Sequence, residues 1–379
     1  MTRLRITGVD VSMTREVEEL GGRYRSGGVE RDLFALLAEN GVDTVRLRLW
    51  VDPYDEDGAP YLGGTNDLPT TVALARRAAD AGLQLLLDLH YSDFWTDPKK
   101  QTVPKAWRGL DGPALEDRVA EHTAEALRAL ADVGVVPTLV QVGNEITNGM
   151  LWPYGAVPRF LDQERRFADA DPAERADAFD RLARLLGRGV AAVREGAPAA
   201  AVVLHLDFGG ANDLYRGWFD EITARGVDFD VIGLSYYPYW HGTLDDLATN
   251  LADVAARYDK DVLVVETACA HRPDGPDGVT TIATGDVALA SGFPVTVQGQ
   301  QDFLVALTRV VAEVPGGRGL GHVYWEPAWL PVPGTSWASP AGMRYGDDVA
   351  DPGNPWANQA LFDFEGNALA SWDAYRSTR

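Results

Sequence analysis

The feature that most constrains this chain is an alternation of short apolar runs with helical segments, repeated nearly to its end. Eight runs have the length and composition of buried strands, and the segments between them carry helical periodicity. The strand-like runs are Leu4–Val11, Thr44–Val51, Leu83–His90, Pro137–Asn144, Ala201–Leu206, Phe229–Tyr236, Val262–Thr267 and His322–Glu326. The helical segments are Val29–Asn40, Leu68–Ala81, Pro113–Val133, Pro172–Glu195, Leu214–Arg225, Leu244–Tyr258 and Gln300–Val314, with a last helix within Asn354–Tyr375. This count predicts an α/β fold, a single-domain (β/α)8 TIM barrel over residues 1–379.

The alternative fold is a doubly wound open sheet. It would need a Gly-rich phosphate turn after an early strand, and neither Gly21-Gly22 nor Gly27-Gly28 has that spacing. The connections also favour a barrel, because the strand-to-helix segments are long and the helix-to-strand turns are short. In a barrel, such long loops all emerge at the C-terminal face and form a substrate cleft. They are Asp52–Asp67, Tyr91–Gly112, Glu145–Asp171, Ala268–Val297 and Pro327–Gly353.

Charge limits the possible partners. The chain has 34 Lys and Arg against 56 Asp and Glu, a net charge of −22. A nucleic acid or an anionic membrane needs a basic face, so we expect neither as a partner. The amino terminus lacks the apolar core of a signal peptide, so we expect a protein that is cytoplasmic or was secreted with its leader removed. The oligomeric state is open, and we assume a monomer.

Tryptophans are concentrated in the strand-to-helix loops. Eight of the 11 lie at strand ends or in the loops that follow: Trp50, Trp95, Trp107, Trp152, Trp240, Trp325, Trp329 and Trp337. Packing of long loops explains some of them. Flat indole faces also suit the apolar faces of sugars, and we favour a sugar-binding cleft for the set.

Two glutamates end apolar strands on opposite sides of the predicted barrel. Glu145 follows Asn144 after the fourth strand, and Glu266 ends the seventh. A glycosidase needs such a pair, and a retaining one places the carboxyls about 5–5.5 Å apart. Each glutamate alone could instead form a structural ion pair with Arg46 or Arg48. Glu326, at the end of the eighth strand, is a third candidate that spacing does not exclude as the nucleophile.

Other polar residues converge on the same face. Strand alternation puts Arg46 and Arg48 on one side of the second strand, where they need acidic partners. Asp88 and His90 share a side of the third strand, and a satisfied core histidine is as good an interpretation of His90 as a sugar contact. The sequence has no Gly-x-Ser-x-Gly elbow, no His-Glu-x-x-His helix, no P-loop and no strand-end lysine.

Eight segments, taken in order, resemble glycoside hydrolase family 53, the endo-β-1,4-galactanases that cut arabinogalactan type I. The resemblance runs from about residue 8 to the C-terminus, and the Asp-Leu-His-Tyr-Ser-Asp-Phe-Trp and Tyr-Trp-Glu-Pro-Ala-Trp segments are its most specific parts. The segments are Gly8–Ser12, Val45–Pro53, Leu87–Pro98, Val142–Ile146, Leu151–Gly155, Gly233–Pro238, Val264–Thr267 and Tyr324–Trp329.

The resemblance implies a role for each site residue. Glu145 is expected to be the general acid/base and Glu266 the nucleophile, with Asn144 on the sugar 2-hydroxyl and Arg46 keeping Glu266 ionised. The resemblance further implies a galactosyl subsite lined by Asp10, Asp88, His90, Tyr236, Trp325 and Glu326, and we add Trp95 to the substrate-binding set. The expected substrate is a polysaccharide or an oligosaccharide.

Two departures from the family pattern affect cofactor and substrate. Bacterial relatives often bind calcium after strand seven, but here that loop offers only Asp274 and Asp277, too few oxygen ligands. We favour a plain turn and expect no required cofactor. Family members are mostly secreted, whereas this sequence shows no leader. An intracellular version would meet imported oligosaccharides rather than polymer. The alternative functions are a mannanase, xylanase or glucanase on the same barrel, and a non-catalytic sugar-binding barrel.

Overall fold

The computed structural model describes residues 5–158, 170–276 and 278–376. Within them, eight parallel strands close into a barrel in chain order, which confirms the predicted fold. The first strand pairs with both the second and the eighth, and this closes the ring. The strands are Ile6–Asp10 (β1), Thr44–Leu49 (β2), Gln84–Leu89 (β3), Leu139–Val142 (β4), Ala201–Leu206 (β5), Val231–Ser235 (β6), Asp261–Thr267 (β7) and Gly319–Trp325 (β8).

Helices surround the barrel and connect its strands. They are Leu33–Glu39 (α1), Leu68–Asp80 (α2), Gly112–Asp132 (α3), Pro172–Gly196 (α4), Asn212–Ala224 (α5), Leu244–Tyr258 (α6), Val297–Ala312 (α7) and Asp373–Arg376 (α8). Within the described residues, three further short helices lie in the loops, at Thr14–Glu19, Gly285–Leu289 and Pro340–Gly346. Two short hairpins pair Tyr24–Ser26 with Val29–Arg31 and Gly149–Met150 with Gly155–Ala156.

Aspartates fix where several of the helices begin. The carboxylates of Asp32, Asp67, Asp111 and Asp171 each accept a backbone N–H from the first turn of α1, α2, α3 and α4. These bonds satisfy donors that have no partner within the helix, and the negative charge suits the helix N-terminus. The long loops are therefore anchored where they enter each helix.

The structure differs from the prediction in two helical segments. The segment predicted as a helix over Val29–Asn40 begins as a strand, and α1 starts only at Leu33, after the Asp32 cap. The helix predicted within Asn354–Tyr375 is mostly irregular. It contains two 3₁₀ turns, at Ala357–Gln359 and Ala370–Trp372, before the single turn of α8.

The inside of the barrel changes character along its axis. Toward the strand N-termini it holds a buried apolar cluster with members from β1 and β3 to β8: Ile6, Leu86, Leu139, Val203, Val231, Leu263, Val265, Leu320 and Val323. Toward the C-termini, inward positions of β1, β2 and β3 carry the fully buried Asp10, Arg46 and Asp88. The alternation of side chains thus delivers charged groups only to the mouth of the barrel.

Across residues 5–158, 170–276 and 278–376, no helix combines the length and apolar character needed to span a lipid bilayer.

Candidate active site

Arg46 is the centre of a buried charge network at the barrel mouth. Its Nη1 lies 2.8 Å from Asp10 Oδ2, and its Nη2 lies 2.8 Å from both Asp88 Oδ2 and Glu266 Oε1. Nη2 also donates to Asn144 Oδ1 at 2.8 Å. One guanidinium on β2 therefore connects the ends of β1, β3 and β7 and the turn after β4. It fixes the orientation of Glu266 and Asn144 together.

A strained turn delivers Glu145 to this network. Gly143 and Glu145, just after β4, adopt positive φ angles of 86° and 47°. A left-handed conformation at a non-glycine residue is uncommon and tends to mark functional sites. At position 143 a Cβ would lie 2.7 Å from Ile146 Cγ2, so only glycine fits there. The turn leaves the Glu145 carboxyl partly exposed at the cleft.

The surroundings of Glu145 favour its neutral form. Burial, followed by the negative charges of Glu266 and Asp207, raises the pKa of Glu145 well above its usual range. Its Oε1 accepts a hydrogen bond from Ser235 Oγ at 2.6 Å. Among the described residues, no lysine or arginine forms an ion pair with it. A carboxyl in such a place holds its proton near neutral pH.

Glu266 is in the opposite situation. Burial raises its pKa, but the adjacent Arg46 opposes that rise, as does the hydrogen bond that Tyr237 Oη donates to Oε2 at 3.0 Å. Glu266 thus has a cation and a hydroxyl donor to stabilise its charge, and Glu145 has only a hydroxyl. The two carboxyls line one cleft in contrasting environments.

An irregularity between β6 and β7 turns Glu266 toward the interior. Leu263 and Val265 belong to the interior cluster, so strict alternation would direct Glu266 away from it. The register shifts between Leu234 and Ser235, and Ser235 pairs with Glu266. An extra residue in one strand re-aims the side chains that follow, as a β-bulge does.

The cleft above the two glutamates is lined by indoles. Its volume is about 340 Å³, and Trp95, Trp240, Trp325, Trp337 and Trp356 contribute to its walls. Trp95 and Trp337 stack at 4.6 Å with an interplanar angle of 15°. Trp325 packs edge-on against Trp356 at 4.7 Å. His90, Asn144 and Tyr237 add polar groups to the same space, so the cleft offers apolar faces and hydrogen-bonding groups together.

Comparison with known proteins decides the family. The sequence model of glycosyl hydrolase family 53 matches residues 6–375. The chain belongs to glycosyl hydrolase family 53. It is 42% identical over 373 residues to an uncharacterised protein of Niallia circulans from the bgaB 5′ region, covering 98% of this chain and 93% of that protein. It is 35% identical to the endo-beta-1,4-galactanase of Bacillus subtilis (strain 168), covering 98% of this chain and 85% of that enzyme.

Solved structures agree with this assignment. The Ignisphaera aggregans GH53 catalytic domain superposes with a TM-score of 0.88 at 40% identity, covering 99% of this chain and 96% of that domain. This family 53 protein is therefore a glycoside hydrolase, and its substrate is a carbohydrate.

In this family 53 hydrolase, several residues predicted to bind substrate lie beneath the cleft. Asp10, Asp88 and Glu326 are fully buried and paired with arginine, so they support the mouth of the barrel instead of lining it. Glu326 accepts from Arg48 at 2.7 Å and from the Met13 N–H at 3.2 Å. A buried and paired Glu326 is poorly placed to be the nucleophile that spacing had left open.

Tyr236, also predicted to bind substrate, does not line the cleft. Its hydroxyl donates to Gly242 O at 3.1 Å, and the next residue, Tyr237, lines the cleft. His90 does line the cleft, with Nε2 3.0 Å from Asp88 Oδ2 and Nδ1 2.9 Å from Thr96 Oγ1. Burial lowers the pKa of His90, so the imidazole is neutral. His90 is a wall of the cleft, and only its Nδ1 forms a hydrogen bond of good geometry with the described residues.

The substrate-binding set predicted from the sequence did not include three residues that shape the cleft. Arg48 lies with its guanidinium carbon 4.5 Å from the Trp95 ring centroid and 5.4 Å from that of Trp325. Trp356 was not among the eight tryptophans of the predicted set, but its loop folds back to the cleft. The alternation of β2 had put Arg48 beside Arg46 but gave it no part in the cleft. The alternation of β6, whose Val231 and Ser235 face the interior, could have identified Tyr237. No local signal marks Trp356.

Only part of the predicted tryptophan set reaches the cleft. Trp95, Trp240, Trp325 and Trp337 do, whereas Trp50, Trp107 and Trp329 are buried packing residues. Trp152 lies in a separate groove of about 790 Å³ with Trp107 and Tyr154. That larger groove includes neither Glu145 nor Glu266, so size alone would have pointed away from the candidate site.

The two calcium candidates are accounted for differently. Both carboxylate oxygens of Asp274 accept hydrogen bonds from the Arg272 guanidinium, at 2.7 and 3.1 Å. Asp277 lies outside the described residues. In the part of the chain that the structure describes, no three His, Cys, Asp or Glu side chains are grouped to hold a metal. A plain turn in this loop remains our prediction.

Proposed function

We propose that this family 53 hydrolase cleaves β-1,4-galactosidic bonds internally, in arabinogalactan type I or in galacto-oligosaccharides derived from it. Family membership supports the reaction class, and the activity named for the Bacillus subtilis relative supports the sugar. The sequence motifs that resemble the galactanases cover the same strand ends that form the cleft.

The contrast between Glu145 and Glu266 carries the mechanism. Glu145, whose environment retains a proton, serves as the general acid and then as the general base. Glu266, paired with Arg46, serves as the nucleophile. Two carboxyls whose environments separate their pKa values divide these roles in retaining glycosidases.

The reaction then proceeds in two displacements. Glu266 attacks the anomeric carbon while Glu145 gives its proton to the glycosidic oxygen, and a covalent galactosyl-enzyme forms. Water next gives a proton to Glu145 and attacks the same carbon, which releases Glu266. Asn144 is held by Arg46 and by Thr96 O at 2.9 Å, and its second amide hydrogen is free for the sugar 2-hydroxyl.

A digest of linear β-1,4-galactan and short galacto-oligosaccharides tests the proposal, with product length and anomeric configuration followed by NMR. We expect early β-anomer from internal cuts. Turnover of the oligomers alone would support the bond type and restrict the substrate to short chains. No turnover of either by folded protein would contradict the galactan proposal and direct the same assay to mannan, xylan and glucan.

Two variants test the roles of the glutamates. Glu145→Gln and Glu266→Gln should each abolish galactan cleavage while the thermal unfolding midpoint stays near that of the native protein. Near-native activity of both variants on galactan would overturn the assignment. Binding of galactan without turnover by the native chain would favour the non-catalytic sugar-binding barrel.

A further inference from the structure

A chain of hydrogen bonds leads from β5 to the carboxyl of Glu145. His205 lies in β5 and Ser235 ends β6, and both side chains are fully buried. His205 Nε2 is 2.8 Å from Ser235 Oγ, which is 2.6 Å from Glu145 Oε1. Both residues contact Glu145, His205 at its backbone N–H and Ser235 at its carboxyl.

The surroundings of His205 decide which ring nitrogen carries hydrogen. Burial, with the nearby charge of Arg46, lowers the pKa of His205 well below its usual range, so the ring is neutral and has one N–H. Its Nδ1 faces two donors, Gln141 Nε2 at 3.0 Å and the Glu145 backbone N–H at 3.4 Å. Nδ1 therefore accepts, and the hydrogen is on Nε2.

Two further contacts support this tautomer. The amide of Gln141 is oriented by Arg46 Nε, which donates to Oε1 at 3.3 Å, and by Asp88 Oδ1, which accepts from Nε2 at 2.5 Å. Asn144 Oδ1 also lies 3.1 Å from His205 Nδ1, but it already accepts from Arg46 Nη2 at 2.8 Å. Asn144 therefore does not require a hydrogen on Nδ1.

The direction of the remaining bonds follows. Since His205 Nε2–H donates to Ser235 Oγ, the single hydroxyl hydrogen of Ser235 points to Glu145 Oε1. That oxygen is an acceptor whether Glu145 is neutral or ionised. We propose that His205 is a positioning residue which, through Ser235, reserves Oε2 of Glu145 for the proton that is transferred in catalysis. This inference rests on the proposed retaining hydrolysis.

The arrangement serves both halves of the reaction without a change in the relay. In the first half, the Oε2–H bond breaks and its proton passes to the glycosidic oxygen as the bond to the leaving group breaks. In the second half, Oε2 takes a proton from the attacking water as the bond to Glu266 breaks. In both, Ser235 keeps its hydrogen and His205 keeps its tautomer, so no proton has to move along the chain.

Substitutions at both positions test the proposal by comparing two leaving groups. Ser235→Ala and His205→Asn remove the hydroxyl and the Nε2 donor, whereas Ser235→Thr and His205→Gln keep a donor in each place. On galacto-oligosaccharide, whose sugar leaving group needs a proton, we expect kcat/KM to fall about 10-fold or more for Ser235→Ala and His205→Asn. The dinitrophenolate leaving group of a dinitrophenyl β-galactobioside needs no proton. On this substrate, kcat/KM of the same two variants should fall by less than about threefold.

The conservative variants and the pH profile separate positioning from structure. Ser235→Thr and His205→Gln should recover most of the lost activity on the oligosaccharide. Loss of the Ser235 donor also destabilises the Glu145 carboxylate, so the basic limb of kcat/KM should move to higher pH in Ser235→Ala. Thermal unfolding identifies a variant that does not fold. If a variant at His205 fails to fold, the comparison of Ser235→Ala with Ser235→Thr tests the proposal, and the reverse holds for Ser235.

Two results would overturn the inference. One is an equal loss on both substrates, because the residues would then support the fold or Glu266. The other is unchanged cleavage of the oligosaccharide. Failure of the proposed function is distinguishable, since native protein would then cleave neither substrate. If the function holds, Glu145→Gln keeps formation of the galactosyl-enzyme from the dinitrophenyl substrate and loses cleavage of the oligosaccharide.

Discussion

Arg46 shows how a single residue can determine the charge state of a whole site. It lies inside the barrel with no exposed surface and contacts Asp10, Asp88 and Glu266. Removing charges from water is unfavourable, and such a group is stable only when its partners are well oriented. The planar guanidinium meets this condition because its donors point in fixed directions toward several acceptors.

We therefore predict two effects of Arg46→Lys. A single ammonium cannot reach all three carboxylates, so stability should fall by about 3–5 kcal/mol, measured by urea unfolding. The pKa of Glu266 should rise, because the cation that opposes the effect of burial is displaced. An ionised nucleophile is then reached only at higher pH. The acid limb of kcat/KM should move upward.

Arg77 provides the matched control. It contacts Glu18 and Asp32 and is about one-third exposed. Ion pairs of this kind contribute about 1 kcal/mol or less. Arg77→Lys should leave the pH profile in place, and an equal shift in both variants would contradict the assignment of Arg46.

At this scale the sequence predicted pairing but not orientation. The period of two along β2 was enough to put Arg46 and Arg48 inside and to require acidic partners for them. The period of two along β6 runs from Val231 in the interior cluster through Ser235 to Tyr237, so alternation would have favoured Tyr237 over Tyr236. Trp356 depends on a loop that returns from far along the chain, and no local pattern records that.

Among the elements, the loop after β2 holds the stacked indoles of the cleft in place. Gly63 in this loop has φ of 68°, and a Cβ there would lie 2.8 Å from Trp337 O and 2.9 Å from the Trp95 ring. The hydrogen bond from Trp95 Nε1 to Trp337 O, 2.9 Å long, crosses the same place. Close approach of the loop backbone to both tryptophans therefore requires glycine.

We predict that Gly63→Ala disturbs this pair. The extra methyl group should displace Trp95 or Trp337, raise KM for galacto-oligosaccharides and lower stability. Gly58→Ala is the control, because Gly58 has φ of 81° but open space around it. Both variants have the backbone strain, and only Gly63→Ala has the clash, for which we expect about 1–3 kcal/mol more destabilisation in urea. Equal KM values in the two variants would refute this account.

The N-terminus of α6 is secured by a capping box. Thr243 Oγ1 accepts from the Asp246 N–H at 3.1 Å, and the Asp246 carboxylate accepts from the Thr243 N–H at 2.8 Å. We predict that Thr243→Ala lowers stability by about 1 kcal/mol in urea unfolding. Thr249, exposed in the middle of the same helix, is the control, and Thr249→Ala should change stability by less. Equal losses would mean that the cap contributes nothing specific.

Element boundaries were harder to predict than element order. The alternation of strands and helices identified all eight barrel strands, because the face of each strand that packs against the helices needs apolar residues, as Val45, Leu47 and Leu49 of β2 show. The hairpin before α1 was missed, although Gly27-Gly28 between short polar runs signals a two-residue turn. Both glycines have positive φ, 58° and 79°, as a hairpin turn with the right twist requires.

For the whole molecule, the buried carboxyl of Asp207 makes stability depend on pH. Burial raises its pKa from 3.8 to about 8, against the hydrogen bond from Thr147. Between these two values the folded protein retains a proton that the unfolded chain has lost. The stability contributed by the neutral group is therefore complete below about pH 4 and is lost as pH rises through about 8.

We predict that Asp207→Asn, which cannot ionise, reduces this loss. The free energy of unfolding of the variant relative to the native protein should increase between pH 5 and pH 8, by at least about 1 kcal/mol. Urea unfolding at the two pH values measures it. Asp220→Asn is the control, since the hydrogen bond from Arg257 lowers the pKa of Asp220 and keeps it ionised throughout. A pH-independent difference for Asp207→Asn would contradict the assignment.

The pairing of β1 with β8 has a consequence for synthesis of the chain. Ile6 pairs with Gly321, so one edge of β1 has no partner strand until residues more than 300 positions later have been synthesised. At about 5–20 residues per second, that edge remains open on the ribosome for roughly 15–60 s. An exposed strand edge invites pairing with other chains. During that interval, the unpaired edge of β1 must be kept from other chains, for example by a chaperone, until β8 emerges.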